Sequence, residues 1–365
     1  MMSRTMIGSP AAALRFAMRA FVSLLLAKVS IAAPPTLADA WEVVPRVVDT
    51  PDWHLWGSSP VLDEEGEIQL FVARWPADVA WEPGWRRHSE IARYRAAKPE
   101  GPFEFIGTVL EPGGEGWEAG GVHNPCVRKV GDRYAMFYIS NDWNGGLAKH
   151  GPNQRIGLRV AKSLDGPWRK VTPDGMILQP GNWCAGSGCG VNNPAFVHAP
   201  DGRFLLYFKA RPGKQGGVRM GVAVAERLEG PYVIQTSPIT ANDRTIEDGT
   251  AFLWGDKICL ITTDNHGIIE RGGGLLWVSD DGLRFREKPL HAFHPLRSYL
   301  KDGVPKGARM HYGGETKFER PQMLTIDGKP SCMFLPSGTS LDGDSGTDVH
   351  LLRPKPGVEI GDLAP

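Results

Sequence analysis

The sequence predicts an all-β protein, a five-bladed β-propeller with four-stranded antiparallel blades. Three observations predict this fold: a short pattern occurs five times, each copy has room for four strands, and the composition suits strands and turns. The 365 residues include 45 Gly, 30 Pro and 12 Trp, which are typical of a strand-and-turn protein rather than a helical one. The hydrophobic content of 41% is ample for a core.

The repeated pattern is a polar cluster, a Pro or Gly, an apolar strand, a Gly-containing turn and a second apolar strand. Its copies are anchored, between about 54 and 73 residues apart, at Pro60, Pro125, Pro194, Gly249 and Pro321. A third strand and a turn into a fourth follow, as in IGLRVAKSLDGPWRKV and MGVAVAERLEGPYVIQTS. Repeats of this length built from short strands indicate a radial array. We expect Trp41–Pro45 to add a strand to the last blade and close the ring, because closure removes exposed sheet edges.

The first forty residues differ from the rest. We interpret residues 1–40 as a secretory signal peptide with a short leader, and residues 41–365 as a single propeller domain. Basic residues precede the apolar run AFVSLLLAKVSIAA, and small residues ending at Ala33 and Ala40 offer cleavage sites. The run is interrupted by Lys28 and is shorter than the ~20 apolar residues of a membrane span. The prediction is a secreted or periplasmic protein with no membrane span after signal removal.

The charge balance and the cysteines narrow the range of partners. Lys plus Arg and Asp plus Glu both number 41, so no basic field exists to bind nucleic acid. Export would permit disulfides, and Cys184 and Cys189 are near enough in sequence to close a small loop. No residue spacing is typical of a metal site, so no cofactor is expected. The oligomeric state stays open.

A propeller brings the starts of its innermost strands, and the loops after its second strands, to one face. The strand starts supply Trp56, Ser59, His123, Asn124, Asn192, Asn193, Glu247, Asp248, Glu319 and Arg320, and the loops supply Trp81, Trp85, Lys209, Arg211, Asp264 and His266. Carboxylates, amides, His, Arg and Trp together suit a sugar site, with acid/base groups, hydroxyl partners and flat apolar faces.

Specific roles follow from the chemistry of glycosidic cleavage, which needs two carboxyl groups. The predicted catalytic residues are Glu247, Asp248, Glu319 and His123, the last because an imidazole can exchange a proton near neutral pH. The predicted substrate-binding residues are Trp56, Asn124, Asn193, Arg211, Asp264, His266, His311 and Arg320.

Several of these segments resemble a known group of enzymes. HNPCVRKVGDRYAMFYIS, NNPAFVHAPDGRFLLYFKAR, IEDGTAFLWGDKICLIT and FERPQ are similar to the five-bladed propeller glycoside hydrolases, the broad group of families 43, 62 and 117. The resemblance implies a secreted glycoside hydrolase that acts on a poly- or oligosaccharide by carboxylate acid/base catalysis with inversion. It also allows a structural calcium ion in the central channel.

The family 43 pattern has an Asp base in the first blade, a second Asp that tunes and orients, and a Glu acid. The acid matches Glu247 or Asp248, whereas Ser59 and Asn193 stand at the expected Asp positions. The resemblance therefore leaves the base open among Asp52, Asp264 and Glu319. Relatives of family 117 use a His as acid, a role for which His123 and His311 are the matching candidates.

Two alternative functions stay open at this point. A polysaccharide lyase would use His and Tyr, either His311 with Tyr312 or His123, on a uronic acid substrate. Arg309 and Arg320 would then pair with an acidic sugar. A non-catalytic carbohydrate-binding propeller would account for the missing Asp residues.

Overall fold

The protein is described from a computed structural model, which covers residues 36–143, 153–213, 216–363 and 365. Most of the predicted signal peptide, residues 1–35, lies outside the described residues. The described residues belong to one compact unit that starts at Thr36, and Ala38 and Ala40 are buried within it. In this part of the chain no helix is long and apolar enough to cross a membrane.

All but two of the strands belong to five antiparallel sheets, each of which is one blade. Strand β1 (Trp41–Val48) comes first in the chain but belongs to the last blade. Blade one contains β2 (Trp53–Leu62), β3 (Ile68–Pro76), β4 (Glu90–Ala96) and β5 (Glu104–Leu110). Blade two contains β6 (His123–Val130), β7 (Arg133–Asn141) and β8 (Gln154–Ala161), with β9 (Arg169–Lys170) and β10 (Met176–Leu178) both paired to β8.

The remaining blades follow the same order. Blade three contains β11 (Asn192–His198), β12 (Phe204–Ala210), β13 (Arg219–Ala225) and β14 (Val233–Ile234). Blade four contains β15 (Glu247–Trp254), β16 (Lys257–Thr263), β17 (Gly274–Ser279) and β18 (Leu290–Phe293). Outside the blades, β19 (Arg309–Met310) pairs with β22 (Thr339–Ser340), and blade five joins β1 to β20 (Gln322–Ile326), β21 (Lys329–Pro336) and β23 (Val349–Pro354). The helices are α1 (Trp81–Arg87) and α2 (Leu296–Tyr299). The predicted five-bladed propeller is confirmed.

Ring closure by the N-terminal strand is also confirmed. Strand β1 pairs with β23 from Trp41 opposite Pro354 to Val48 opposite Val349. The indole Nε1 of Trp41 donates a hydrogen bond to the main-chain oxygen of Ala292 in blade four, at 2.9 Å. The first strand of the chain therefore ties the last blade to its neighbour.

Each blade is buried on both faces because its strands alternate between two inter-blade cores. In β7, Phe137 packs toward blade three, where its ring stacks on Phe196 with centroids 4.6 Å apart. Its neighbours Met136 and Tyr138 pack toward blade one around Phe71. A strand covered on both sides reads as a nearly continuous apolar run, which explains segments such as YAMFYI.

The innermost strands share a bulge, which defines the equivalent positions of the five blades. One residue in each repeat has a positive φ, between 40° and 55°: Gly57, Asn124, Asn193, Asp248 and Arg320. The pairing register shifts at this place in blades one to four. Left-handed backbone favours Gly, Asn and Asp, the residue types found at four of the five positions.

This bulge corrects the alignment of the first repeat. Gly57, not Ser59, is equivalent to Asn124 and Asn193, so the repeat was anchored two residues too late at Pro60. Ser59 is buried in β2, where its hydroxyl accepts a hydrogen bond from the main-chain N–H of Val127 at 2.8 Å. The prediction that Ser59 occupies the first-blade Asp position is therefore wrong. Asn193 has the left-handed backbone of the inner-strand bulge, at the position equivalent to Asn124.

Candidate active site

A pocket of about 260 Å³ lies where the inner strands begin. The residue before each left-handed position lines it: Trp56, His123, Asn192, Glu247 and Glu319. The other lining residues are Trp81, Glu82, Trp85, Arg86, Asn124, Gln154, Cys189, Asn193, Lys209, Arg211, Val218, Asp248 and Tyr312. All four predicted catalytic residues, and Trp56, Asn124, Asn193 and Arg211 among the predicted binding residues, are thus brought together.

The left-handed residues form a hydrogen-bonded chain across neighbouring blades. Asn124 Nδ2 donates to Asn193 Oδ1 at 2.7 Å, and Asn193 Nδ2 in turn donates to Asp248 Oδ1. The main-chain N–H of Arg320 donates to Asp248 Oδ2 at 3.3 Å. Because both oxygens of Asp248 are engaged and its side chain is buried, this carboxylate is fixed in place beneath the pocket.

Glu247 is held as part of an ion pair within the pocket. Lys209 Nζ lies 2.8 Å from Glu247 Oε2 and 3.9 Å from Asp248 Oδ1. Burial lowers the pKa of Lys209, but the two carboxylates outweigh burial and raise that pKa above its ordinary value. The side chain of Glu247 is 30% exposed, so it can still contact a ligand or a water molecule.

Glu319 lies in a very different environment. Its side chain is 4% exposed, and burial raises its pKa to about 8, with further help from the Asp248 carboxylate. Lys317 Nζ, 2.8 Å from Glu319 Oε1, opposes this rise in pKa. At neutral pH the Glu319 carboxyl group is therefore mainly protonated and able to donate a proton.

His123 is buried in the same pocket, and its imidazole is not the protonated form that a general acid needs. Its Nδ1 lies 2.8 Å from Ser89 Oγ, and its ring packs 5.5 Å from the ring of Trp85. Burial, together with the Arg320 charge, lowers the pKa of His123 to about 3. The imidazole is neutral at physiological pH, which suits a hydrogen-bonding role better than that of general acid.

Aromatic rings form one wall of the pocket. The ring of Trp81 stacks on that of Tyr312 with centroids 5.2 Å apart and an interplanar angle of 10°. Trp56 meets Trp81 edge-on at 5.0 Å. Burial raises the pKa of Tyr312 to about 12, so its hydroxyl stays protonated. The wall offers flat apolar faces next to the carboxyl groups.

Four predicted binding residues do not line this pocket. Asp264 is buried and holds its own loop, accepting hydrogen bonds from the N–H groups of Ile268 and Ile269 at 2.8 and 2.7 Å. His266 is exposed and contacts Arg244 through its main-chain oxygen. These predictions are corrected because Asp264 and His266 build the β16–β17 loop and do not contribute to the pocket.

His311 and Arg320 are the other two. The His311 ring packs 5.0 Å from the His54 ring, and its Nε2 lies 3.1 Å from the main-chain oxygen of Asp344. Arg320 is fully buried beneath the pocket, with Nη1 4.0 Å from Asp248 Oδ1. Further candidates outside the lining are Asp52 and Arg309, both exposed. In the segment that precedes blade five, only Arg309–Met310 forms a strand.

Some lining residues were not predicted. Glu82 and Arg86 lie in α1, an insertion between the second and third strands of blade one, and they form an ion pair at 3.1 Å. Gln154 opens β8, where its Oε1 accepts a hydrogen bond from Asn192 Nδ2 at 2.8 Å. The pair Trp81 and Trp85 signalled the insertion, but a seven-residue segment with Pro and Gly gives no helix signal.

The cysteines do not form the disulfide considered from the sequence. All five are free thiols. Cys184 Sγ contacts the main-chain oxygen of Gly181 at 3.1 Å, while Cys189 lines the pocket and contacts Ser187 Oγ at 3.3 Å.

The central channel does not suit a calcium ion. Ca²⁺ takes six to eight oxygen ligands, several of them carboxylate oxygens. Beneath the pocket the Arg320 guanidinium already faces Asp248, and the neighbouring groups are the amides of Asn124 and Asn193. A calcium ion there would meet the positive charge of this arginine.

Comparison with known proteins gives the same fold. A family 117 glycoside hydrolase, Zg3597 of Zobellia galactanivorans, is 16% identical with a TM-score of 0.60, over 87% of this chain and 91% of that one. The GH43_1 enzyme of Xanthomonas citri bound to xylose is 14% identical with a TM-score of 0.55, over 90% and 94%. The predicted likeness to five-bladed propeller glycoside hydrolases is confirmed at the level of the fold.

A sequence relative also matches part of the chain. The extracellular endo-α-(1→5)-L-arabinanase of Thermotoga petrophila is 24% identical over 253 residues, which are 64% of this chain. The match covers 49% of that protein, so the chain spans about half the length of this curated relative. No protein-family profile matches the chain.

Proposed function

We propose that this protein is a glycoside hydrolase whose catalytic pair is Glu319 and Glu247. The observation that carries the proposal is the presence of two carboxyl groups of opposite character in one pocket. Glu319 is buried with a pKa raised to about 8, whereas Glu247 is partly exposed and paired with Lys209. Two carboxyl groups in one pocket, one buried and protonated and the other in an ion pair, are what glycosidic cleavage needs.

The roles follow from these protonation states. Glu319 donates its proton to the glycosidic oxygen as the bond to the anomeric carbon breaks. Glu247 takes a proton from a water molecule that attacks the anomeric carbon from the opposite face, which inverts its configuration. Asp248 acts as a positioning residue because its negative charge helps to raise the pKa of Glu319. The inverting course rests on the resemblance to family 43.

The pocket favours the end of a short saccharide. Its volume of about 260 Å³ is at the small end of ligand pockets. Trp81 and Tyr312 offer stacked faces at its wall. We therefore infer exo-action on an oligosaccharide. The names of the relatives make α-(1→5)-linked arabino-oligosaccharides and xylo-oligosaccharides the first substrates to test.

Export completes the proposal. The signal sequence supports a secreted or periplasmic location, and the arabinanase relative is extracellular. We expect cleavage after Ala33, because Ala38 and Ala40 are 1% exposed and cleavage after Ala40 would remove this packed segment. N-terminal sequencing of the exported protein tests this expectation, and a mature chain that starts at Trp41 would contradict it.

The test is a screen of plant and algal oligosaccharides with product identification. We expect a reducing sugar released with inverted configuration, followed by NMR of the anomeric proton, and turnover lowered by about 10²- to 10⁴-fold in the Glu247→Gln and Glu319→Gln variants. Near-ultraviolet absorbance of an unsaturated product would indicate a lyase instead. Saturable binding without turnover would indicate a carbohydrate-binding propeller and overturn the proposal.

A further inference from the structure

A second cluster of polar side chains lies outside the pocket, at the outer edge of blade four. Glu270 in the β16–β17 loop, His291 in β18 and His294 just after β18 each place one ligand atom within 4.8 Å of the others. Glu270 Oε2 lies 2.7 Å from His294 Nδ1 and 3.2 Å from His291 Nε2. None of the three lines the pocket described above.

The imidazole of His291 leaves one ring nitrogen available to a ligand. Its Nε2 is buried and makes no hydrogen bond to the described residues, although Glu270 Oε2 is only 3.2 Å away. The rings of His291 and His294 meet edge-on with centroids 4.7 Å apart. One atom from each of two imidazoles and a carboxylate therefore lies close enough to the others to share a single ion.

A fourth residue supports the cluster from behind. Nδ1 of His294 is within hydrogen-bond distance of Glu270 Oε2, while its Nε2 lies 3.4 Å from Asp39 Oδ1. Asp39 is fixed in turn, because Thr36 Oγ1 donates to its other carboxylate oxygen at 2.6 Å. A carboxylate that accepts the remaining ring N–H is the usual support for a metal-bound histidine, since it fixes the tautomer and the ring orientation.

We propose that Glu270, His291 and His294 bind a zinc ion, with Asp39 as the outer carboxylate. Two imidazoles and one carboxylate suit Zn²⁺, and the usual fourth ligand is water. The fourth coordination position can face solvent, because the side chains of Glu270, His291 and His294 are 33%, 21% and 30% exposed, although the Nε2 atom of His291 itself is buried.

The position of the site indicates what the zinc ion does. Asp39 belongs to the segment before β1, whereas the three ligands belong to blade four. Binding holds the blade-four residues in the orientation that accepts Asp39, so zinc fastens the start of the mature chain to blade four. Zinc should therefore stabilise the folded protein without taking part in catalysis.

The experiment measures Zn²⁺ binding to the metal-free mature chain by calorimetry, with Co²⁺ absorption as a second readout of geometry. We expect one Zn²⁺ per chain, a higher thermal midpoint in zinc, and visible Co²⁺ bands typical of low coordination number. His291→Gln and Glu270→Gln should abolish binding. Asp39→Asn should weaken it by about 10- to 100-fold. His198→Gln, an exposed histidine of blade three, is the matched control.

Each outcome decides the proposal. Circular dichroism and thermal melts without metal show whether each variant folds, so a binding loss in a folded variant is interpretable. Unchanged Zn²⁺ affinity in His291→Gln, or the absence of saturable binding in the wild-type chain, would overturn the site. Equal affinity in the Asp39→Asn variant would overturn the supporting role of Asp39.

Discussion

Replacing Glu319 by Gln should lower turnover sharply and also make the fold more stable at neutral pH. Burial raises the pKa of Glu319 to about 8 in the folded protein, whereas a Glu in an unfolded chain titrates near its ordinary value of 4.5. Between these two values the folded state keeps a proton that the unfolded state has released. Stability from this residue is therefore fully present below pH 4.5 and is lost as the pH rises toward 8.

The magnitude follows from the size of the pKa difference. Each pKa unit corresponds to about 1.4 kcal/mol, so the wild-type protein should lose on the order of 3 kcal/mol between pH 4.5 and pH 7. A Gln at position 319 has no proton to take up and avoids this loss. Lys317 keeps an acceptor in the variant, because its Nζ also donates to Asn265 Oδ1 at 2.9 Å. Removing the general acid should lower kcat by about 10²- to 10⁴-fold.

The assay is urea denaturation at pH 5, 7 and 8.5, together with turnover on the substrate found in the screen. The control is Glu315→Gln, since the Glu315 side chain lies in the same segment but is 32% exposed and pairs with Arg271. We expect a pH-dependent gain in the free energy of unfolding for the Glu319 variant only. An equal difference from wild type at all three pH values, or a fully active variant, would refute the reasoning.

Three further changes test the site and the fold. Lys317→Met removes the charge that lowers the pKa of Glu319, so the alkaline limb of the kcat/KM profile should move to higher pH. Gly57→Ala should cost on the order of 1–3 kcal/mol of unfolding free energy, because Gly57 has a φ of 41° and a Cβ there would lie 2.4 Å from Asn124 Oδ1. Phe137→Ala should cost about 3–5 kcal/mol, because this fully buried ring leaves a cavity.

Matched controls separate these effects from general damage. Lys288→Met removes an exposed charge and should leave the pH profile unchanged. Gly66→Ala places a side chain at a φ of 82° with nothing within 4 Å, so it measures backbone strain without a clash. Phe105→Ala removes a ring that is 47% exposed. The predictions fail if the pH limb stays in place, or if either stability variant costs no more than its control.

The number of blades could be predicted because every blade has the same structural requirements, which leave the same pattern in the sequence. Every inner strand requires a polar start, a left-handed residue and an apolar run, so Asn124, Asn193 and Asp248 stand out from the sequence. Blade one was misaligned because its left-handed residue is Gly57, while the nearby Ser59–Pro60 imitates the pattern of the other repeats. A pattern of residue types does not show at which residue the β-bulge forms.

Most of the correctly predicted pocket residues come from the starts of the inner strands, because these strands fix the direction of their side chains. Glu247 and Glu319 follow from their place before the left-handed residues. Asp264 and His311 occur in loops, where local contacts decide which way a side chain points. Asp264 accepts hydrogen bonds from main-chain N–H groups, and His311 packs on His54. The protonated state of Glu319 depends on burial by neighbours distant in sequence, so it cannot be predicted from a local sequence pattern.

Because β1 pairs with β23, the propeller ring can close only after the C-terminal strand is available. Trp41 lies opposite Pro354, so β1 can pair with β23 only after nearly the whole chain has been synthesised. A contact of such long sequence separation forms late in folding. During synthesis the blades can assemble one after another, but the ring stays open until the C-terminal strand arrives. Under the export proposed above, the chain can pass unclosed through a translocation channel and form the closed ring only on the far side.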